Sequence, residues 1–483
     1  MGPTLILLVL GGYFGILLLI AHFTSRQTNS ETYFTANRKS TWYMVAFGMI
    51  GSSLSGITFI SVPGMVGNGN FFYFQMVLGY LVGYGIIAGV LLPLYYRLNL
   101  VSIYGYLGQR LGFYSHKTGS LFFLLSQSIG AALRLFVVAE VLQLTFFDHF
   151  NIPFVITVVI TLVLIWIYTR KAGIKTIVYT DFFQTSVMLI SVFGTIVILV
   201  NVLDIPLANL GSTVFNHEYS TIFNWDLNSD TYFFKQFVAG ALVAIAMNGL
   251  DQNEMQKSLT CKNLKDAQKN ILFYSVILVL ANLVFLSLGV LLYIYVQKNG
   301  VALPFTETGE FANTDGLFPM ISMEHLGAFA GFLFLLGIAS AAFSSADSAL
   351  TALTTAFYKD FVNDGGKTEK QKIQMRKVVN LGVTLFVIFL ILIFRAVNNE
   401  SVIHLVYTIA GYTYGPLLGM FVFGLFTNWD IRDKWVPVIC VLSSGLAYLV
   451  NDNSVEWLGF GLGYTVLLLN AMITFLGLWL VRK

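Results

Sequence analysis

Ser340, Ser344, Asp347, Ser348, Thr351 and Thr355 follow helical spacing inside one apolar stretch, residues 327–359, so a helix there carries them on one face. A stripe of hydroxyls with a single carboxylate offers what a hard alkali cation takes: oxygen ligands and one negative charge. The competing reading is that these Ser and Thr bond back to their own i−4 carbonyls. That accounts for several hydroxyls but not for Asp347. A second oxygen-rich place, Gly51-Ser52-Ser53-Leu54-Ser55-Gly56, interrupts the apolar stretch 42–64. Two glycines bracketing three serines let a helix unwind and turn carbonyls and hydroxyls toward a cation or solute; the alternative is a small-residue seam for close packing.

Single charges stand in other apolar stretches. Arg134 lies near the centre of 118–148 and needs a partner. Glu140, six residues on, falls off its helical face. The partner is therefore another buried carboxylate or an anionic solute, which the planar guanidinium grips bidentately. Asp181 opens the stretch 179–203, as a helix cap or a ligand. Asn248-Gly249 and Asp251 interrupt 235–258, where Asp251 belongs to a gate or a site. No histidine stands beside the serine stripe, so the nucleophile–base pair of a hydrolase is missing. The six histidines (22, 116, 149, 217, 325, 404) are scattered without metal-ligand spacing, and no G-x-x-x-x-G-K-[ST] loop occurs. The chain is not expected to be an enzyme.

The elements that must position these residues are membrane helices. Of 483 residues, 57 % are hydrophobic and 11 % charged, against about 25 % charged in soluble proteins. Stretches long enough to span, about 20 residues each, fall at 4–24, 42–64, 71–95, 118–148, 153–169, 179–203, 235–258, 269–296, 327–359, 376–397, 402–427, 434–452 and 460–481. The fold class is an all-α polytopic membrane protein with about thirteen helices. The first stretch lacks a basic leader and a small-residue cleavage site and is read as a span. Alternate loops collect the basic residues (Arg26, Arg38 and Lys39; Arg97, Arg110 and Lys117; Arg170, Lys171 and Lys175; Lys257, Lys262 and Lys265; Lys359 to Lys372; Arg432 and Lys434). The excess of positive charge places that side in the cytoplasm, the N-terminus outside and the C-terminus inside. Cys261 and Cys440 carry no expected disulfide. The outer loops 204–234 and 297–326 are polar enough to act as partial lids.

The two interrupted stretches lie five spans apart, as in transporters built from inverted repeats. The expected organisation is one transporter domain: repeats at 42–203 and 235–427, the extra helix 4–24 before them and two helices, 434–481, after.

In family order along nearly the whole chain, the stretches SETYFTANRKSTWY, SSLSGITFISVPG, AGIKTIVYTDFFQT, LDQNEMQKSLTCKNLKDAQKNI, SSADSALTALTTAFYKDF and GYTYGPLLGMFVFGLF resemble the sodium/solute symporter family, with its LeuT-type 5+5 fold. The resemblance implies sodium-coupled symport by alternating access in the plasma (inner) membrane. Its partners are Na⁺, a small-molecule solute and the lipid bilayer, with no nucleic acid and no obligate protein partner. It places the conserved Na⁺ on the carbonyls of Gly51, Leu54 and Ala341 and the hydroxyls of Ser344 and Ser345. A second Na⁺ position would use Asp181, Ser345, Asp347 and Ser348, with Asp347 where the family has a hydroxyl. Sugar-transporting relatives carry Glu-Gln and a Lys where this chain has Ile57-Thr58 and Leu278. The set Ser53, Ser55, Thr58, Phe71, Gln75 and Arg134 is similar to that of sialic acid transporters, which makes sialic acid the leading solute among carboxylated ones. The alternatives are a neutral sugar, a polyol or another monocarboxylate, or, from a different class, a solute channel or membrane sensor.

Overall fold

A computed structural model of the chain describes residues 3–24, 30–145, 147–304, 311–312, 314–397 and 402–483. Arg26, and the side chains of Arg170, Lys171, His149 and His404, lie outside that description.

Helix α1 (Pro3–Thr24) leads to the first broken pair, α2 (Trp42–Ser53) and α3 (Gly56–Gly69). Then come α4 (Tyr73–Arg97), α5 (Phe113–Thr145), α6 (Phe154–Thr169) and α7 (Gly173–Val202). The second broken pair is α8 (Phe233–Gly249) and α9 (Gln252–Ser258). The chain closes with α10 (Leu264–Asn299), α11 (Ala328–Phe361), α12 (Glu369–Val397), α13 (Val402–Phe426), α14 (Val436–Asp452) and α15 (Val466–Leu480). Among the described residues, nine helices are long and apolar enough to cross a membrane, and the two bent pairs each pass together. Leu8–Thr24 and Phe154–Thr169 are shorter apolar helices on expected spans.

Some boundaries move outward from the expected apolar stretches, as at Phe113, Leu264, Asn299 and Glu369, where polar helix ends continue beyond the hydrocarbon, and others move inward, as at Val466. One shift matters for chemistry. Helix α7 starts at Gly173 rather than near 179, so Asp181 stands two turns inside it instead of in a capping first turn. Gly173 makes the corner between α6 and α7 with φ +62°, and a Cβ there would come within 2.7 Å of the Tyr33 backbone. Only glycine fits both demands.

Small residues bring the halves together. A Cβ on Gly240 of α8 would stand 2.0 Å from the Met76 carbonyl oxygen, and one on Gly79 of α4 2.0 Å from that of Phe237. Such backbone approach is how helices associate where lipid removes any hydrophobic drive. Helix α1 packs on α7 and α11 through Tyr13, whose ring stacks on Phe183 and Phe343. The outer loops are clamped down: Gln75 Nε2 donates to Thr231 O (2.9 Å), and Asn68 exchanges two hydrogen bonds of 3.0 Å with the Phe311 backbone. Both cysteines are free and buried.

Candidate functional site

The first break bends α2 against α3 by 60°. Serine is a poor helix interior and a good cap; Leu54 leaves helical geometry (φ −80°, ψ 70°) and Ser55 is extended at the start of α3. The last turn of a helix leaves its carbonyls without intrahelical partners. Among the described residues, no backbone or side-chain donor bonds the carbonyl oxygens of Gly51 or Leu54.

The second break, bent by 71°, is closed off. Tyr95 Oη donates to Gly249 O and Tyr104 Oη to Leu250 O, both at 2.8 Å. Asp251 caps α9, accepting from Asn253 N (2.7 Å) and from Tyr414 Oη (2.5 Å). Open, buried carbonyls cost free energy unless something pairs with them. Among the described residues, the first break thus leaves carbonyls open to a cation, whereas those of Gly249 and Leu250 at the second are taken.

Helix α11 brings the hydroxyl stripe to that place. A Cβ added to Gly51 would stand 3.3 Å from Ser344 Oγ, so the two residues are close neighbours. Ser344 Oγ donates to Asp181 Oδ1 (2.7 Å) and Ser345 Oγ to Ala342 O (3.0 Å). Their protons are thus committed and their lone pairs left for a cation. Ala341, Ser344 and Ser345 are all buried, as are Gly51 and Leu54. Carbonyls from one helix and hydroxyls from another make an all-oxygen donor set of the kind a small hard cation accepts, so these residues fit Na⁺. Thr185, which sequence reasoning passed over, packs against Gly51 from α7. Its β-branched side chain within TDFFQT carries no special signal.

Of the second expected set, Asp181, Asp347 and Ser348 are brought together, while the Ser345 hydroxyl is turned to Ala342 O, and a lysine stands beside Asp181. Asp181 accepts Ser344 and, through Oδ2, Ser348 Oγ (3.3 Å); Ser348 Oγ also reaches Asp347 Oδ1 (3.2 Å), and Tyr168 Oη donates to Asp347 Oδ2 (3.0 Å). Lys257 Nζ lies 2.7 Å from Asp181 Oδ2, with both side chains 1 % exposed. Lys257 was expected among cytoplasmic loop charges. The bend at Leu250–Asp251 turns α9 inward and buries it instead.

Beside the first break lies a cleft of ≈ 120 Å³ lined by Ser53, Ser55, Thr58, Arg134, Asn248, Asp251 and Glu254, with Tyr73, Tyr80, Tyr84 and Tyr407 also on it and Leu278 among its apolar residues. Small-molecule sites usually run to about 300–1,000 Å³, so a solute must widen this cleft to occupy it. Arg134 makes no ion pair among the described residues, with Glu140 or any other carboxylate. Ser53 is oriented by Tyr274 Oη at 2.6 Å, which in turn meets Tyr84 Oη at 3.0 Å. Phe71 and Gln75 stand elsewhere. Both are fully buried, and the Gln75 amide is spent on Thr231 O, Phe72 O and Asn224 N in the outer loop. Glu254, whose Oε1 accepts from Ser52 Oγ (3.3 Å), lines the cleft without having been singled out. It sits at N3 after the cap Asp251, where an acidic residue reads as capping.

A model of the sodium:solute symporter family matches residues 33–430. The sodium/sialic acid symporter NanT of Aliivibrio fischeri is 24% identical over 445 residues, covering 88% of this chain and 83% of that protein. The human sodium/iodide cotransporter is 25% identical over 422 residues, covering 85% and 64%. A solved structure of a Na⁺-coupled sialic acid symporter in a substrate-bound outward-open state superposes with a TM-score of 0.83 at 19% identity, covering 99% of this chain and 98% of that one. That likeness establishes a common fold.

Proposed function

We propose that this chain, which belongs to the sodium:solute symporter family, imports a small carboxylated solute with Na⁺, sialic acid first among the choices. The observation that carries the solute class is Arg134: it lines the same cleft as Ser55 and Thr58, and although Asp251 and Glu254 line that cleft too, no carboxylate among the described residues is within ion-pair distance of it. A bidentate guanidinium fork is matched by a carboxylate. Leu278 stands where, on the family resemblance, sugar-transporting members carry a lysine. NanT supports sialic acid as the first solute to try.

Na⁺ sits on the carbonyls of Gly51, Leu54 and Ala341 and the hydroxyls of Ser344 and Ser345. It ties α2–α3 to α11 and so favours the state in which the cleft is assembled. Solute fills the cleft along Ser53, Ser55, Thr58 and Arg134, and repeats 42–203 and 235–427 rock about it. Coupling needs only that both ligands favour one state, and it is reciprocal. One Na⁺ moving through 100 mV supplies roughly 2.3 kcal/mol. The chain lies in the plasma membrane with its N-terminus outside.

The test is uptake of radiolabelled N-acetylneuraminic acid into proteoliposomes under an inward Na⁺ gradient, with K⁺ and with a neutral hexose as controls. Uptake of the acid driven by Na⁺ alone is expected. Gradient-driven uptake of the hexose with none of the acid contradicts the solute class, and equal uptake without a gradient points to a channel.

A further inference from the structure

Helices α4, α8, α13 and α15 enclose a second recess, a groove of ≈ 370 Å³ whose lining is apolar throughout. Leu242 and Ile245 of α8 line it, whereas Val243 and Met247 of the same helix line the solute cleft. Val90, Met472 and Leu476 on its wall are exposed, so the groove opens sideways toward hydrocarbon. At one end the character changes. Helices α4, α13 and α15 finish at Arg97, Phe426 and Leu480, on the side that collects the basic loops. Arg97 is exposed, about two turns past Val90. Arg97 and Arg110 both act on the Tyr106 hydroxyl, and the Tyr106 ring lies 5.4 Å from that of Phe421 in the groove wall. Arg110 Nη2 donates to Thr427 O (2.7 Å), directly after α13. Arg482, also exposed, lies over the rings of Trp479 (4.1 Å) and Trp429 (5.8 Å). Trp429 meets Phe423 at 6.2 Å, and Phe423 meets Phe475 of the groove at 5.3 Å. No carboxylate among the described residues is within ion-pair distance of these three arginines. Of the acids in the adjoining loop, Asp433 is spent on Tyr114 N (2.7 Å) and Ser115 N (2.8 Å), and Asp430 is exposed.

We propose that this groove is a binding site for one anionic phospholipid of the leaflet on the basic side, with an acyl chain between α4, α8, α13 and α15 and the phosphate among Arg97, Arg110 and Arg482. The division of the site matches the division of the molecule. A recess without polar atoms suits a hydrocarbon chain, and left unfilled its walls would forfeit their packing contacts. Guanidinium groups match phosphate oxygens, and basic pockets between membrane helices on the cytoplasmic side hold anionic head groups. Trp429 and Trp479 stand at the depth where indoles border head groups. A second copy of the chain suits the place less well. A twofold contact joins a patch to itself, so it would bring the arginines of both copies together, with like charges opposed. The bound chain would lie against the second break: Leu250 lines the groove, and Leu91, also in its wall, comes within 2.7 Å of where a Cβ on Gly249 would stand. A lipid there braces the bend between α8 and α9 from the hydrocarbon side. The inference holds for any solute the chain carries.

Native mass spectrometry of the purified full chain, titrated in detergent with phosphatidylglycerol or with phosphatidylcholine of the same acyl chains, tests the site. One tightly retained phosphatidylglycerol per wild-type chain is expected, with phosphatidylcholine held far more weakly. Arg97→Gln/Arg482→Gln should weaken phosphatidylglycerol retention roughly 30-fold, about a factor of five for each arginine. Met472→Trp, which fills the groove from an exposed position and leaves the arginines in place, should weaken it as well. Val90→Phe gives the same reading from the opposite wall should Met472→Trp fail to fold. Equal retention of the two lipids, or phosphatidylglycerol retention unchanged in the arginine pair or in a folded groove-filling variant, would overturn the inference. Displacement of the lipid by inorganic phosphate at equal concentration would mean that a soluble anion is the ligand, which overturns it too. So would a dimer that Met472→Trp splits and that retains no lipid, since a second copy then fills the groove.

Discussion

Lys257 Nζ and Asp181 Oδ2 lie 2.7 Å apart in an interior that leaves each side chain 1 % exposed. Two ions removed from water hold each other at large desolvation cost, and deleting one strands the other. Asp181→Asn is expected to lower stability by about 3–5 kcal/mol, read as a large drop in the melting temperature of detergent-solubilised protein. The double variant Asp181→Asn/Lys257→Met recovers most of it. An Asp181→Asn protein as stable as wild type would show that the pair does not form.

Arg134→Lys keeps the charge but loses the fork. A charge-assisted hydrogen bond is worth about 1.5–3 kcal/mol, so binding of the acidic solute is expected to weaken by roughly 10- to 100-fold. Na⁺ binding should be unchanged. Calorimetry of N-acetylneuraminic acid binding measures it, and an unaltered affinity removes Arg134 from the site.

The two breaks differ in who satisfies their carbonyls, and that difference is testable. Tyr104→Phe strands the Leu250 carbonyl, which Tyr104 Oη now bonds at 2.8 Å. A buried acceptor left unmade costs about 1–3 kcal/mol. The melting temperature should fall while the apparent Na⁺ affinity stays within a factor of two of wild type, a margin of about 0.4 kcal/mol. A large loss of Na⁺ affinity would place the cation at the second break.

Gly240→Ala puts a methyl group 2.0 Å from the Met76 carbonyl oxygen, a backbone atom that cannot rotate away. Helices α4 and α8 must separate, and overpacking of this kind costs roughly 1–3 kcal/mol or more. The expected result is reduced yield of monodisperse protein on size-exclusion chromatography. Normal yield and stability would mean that the two helices are not in backbone contact.

Much of this architecture can be read from residue order. Gly51 to Gly56 and Asn248 to Asp251 announce the two breaks because glycine, serine and asparagine have no other reason to cluster inside apolar stretches. Asp347 stands out for the same reason. Lys257 does not. It belongs to a run with Lys262 and Lys265 that reads as loop charge, and only the 71° bend before α9 turns it inward. Asp181 resembled a cap until Gly173 proved able to start the helix two turns earlier. Gln75 and Phe71 suit a polar cavity by type, yet the outer loop claims the glutamine amide through Asn224 and Thr231. Local pattern does not specify which long-range partner reaches a side chain first.

The most direct test of the cation site is a ²²Na⁺ binding isotherm for wild type beside Ser344→Ala/Ser345→Ala. Two hydroxyl ligands are deleted while the carbonyls of Gly51, Leu54 and Ala341 remain. The account predicts saturable binding by wild type that K⁺ does not displace, and at least a tenfold weaker affinity in the double variant, about 1.4 kcal/mol. An isotherm unchanged by the double substitution would contradict it.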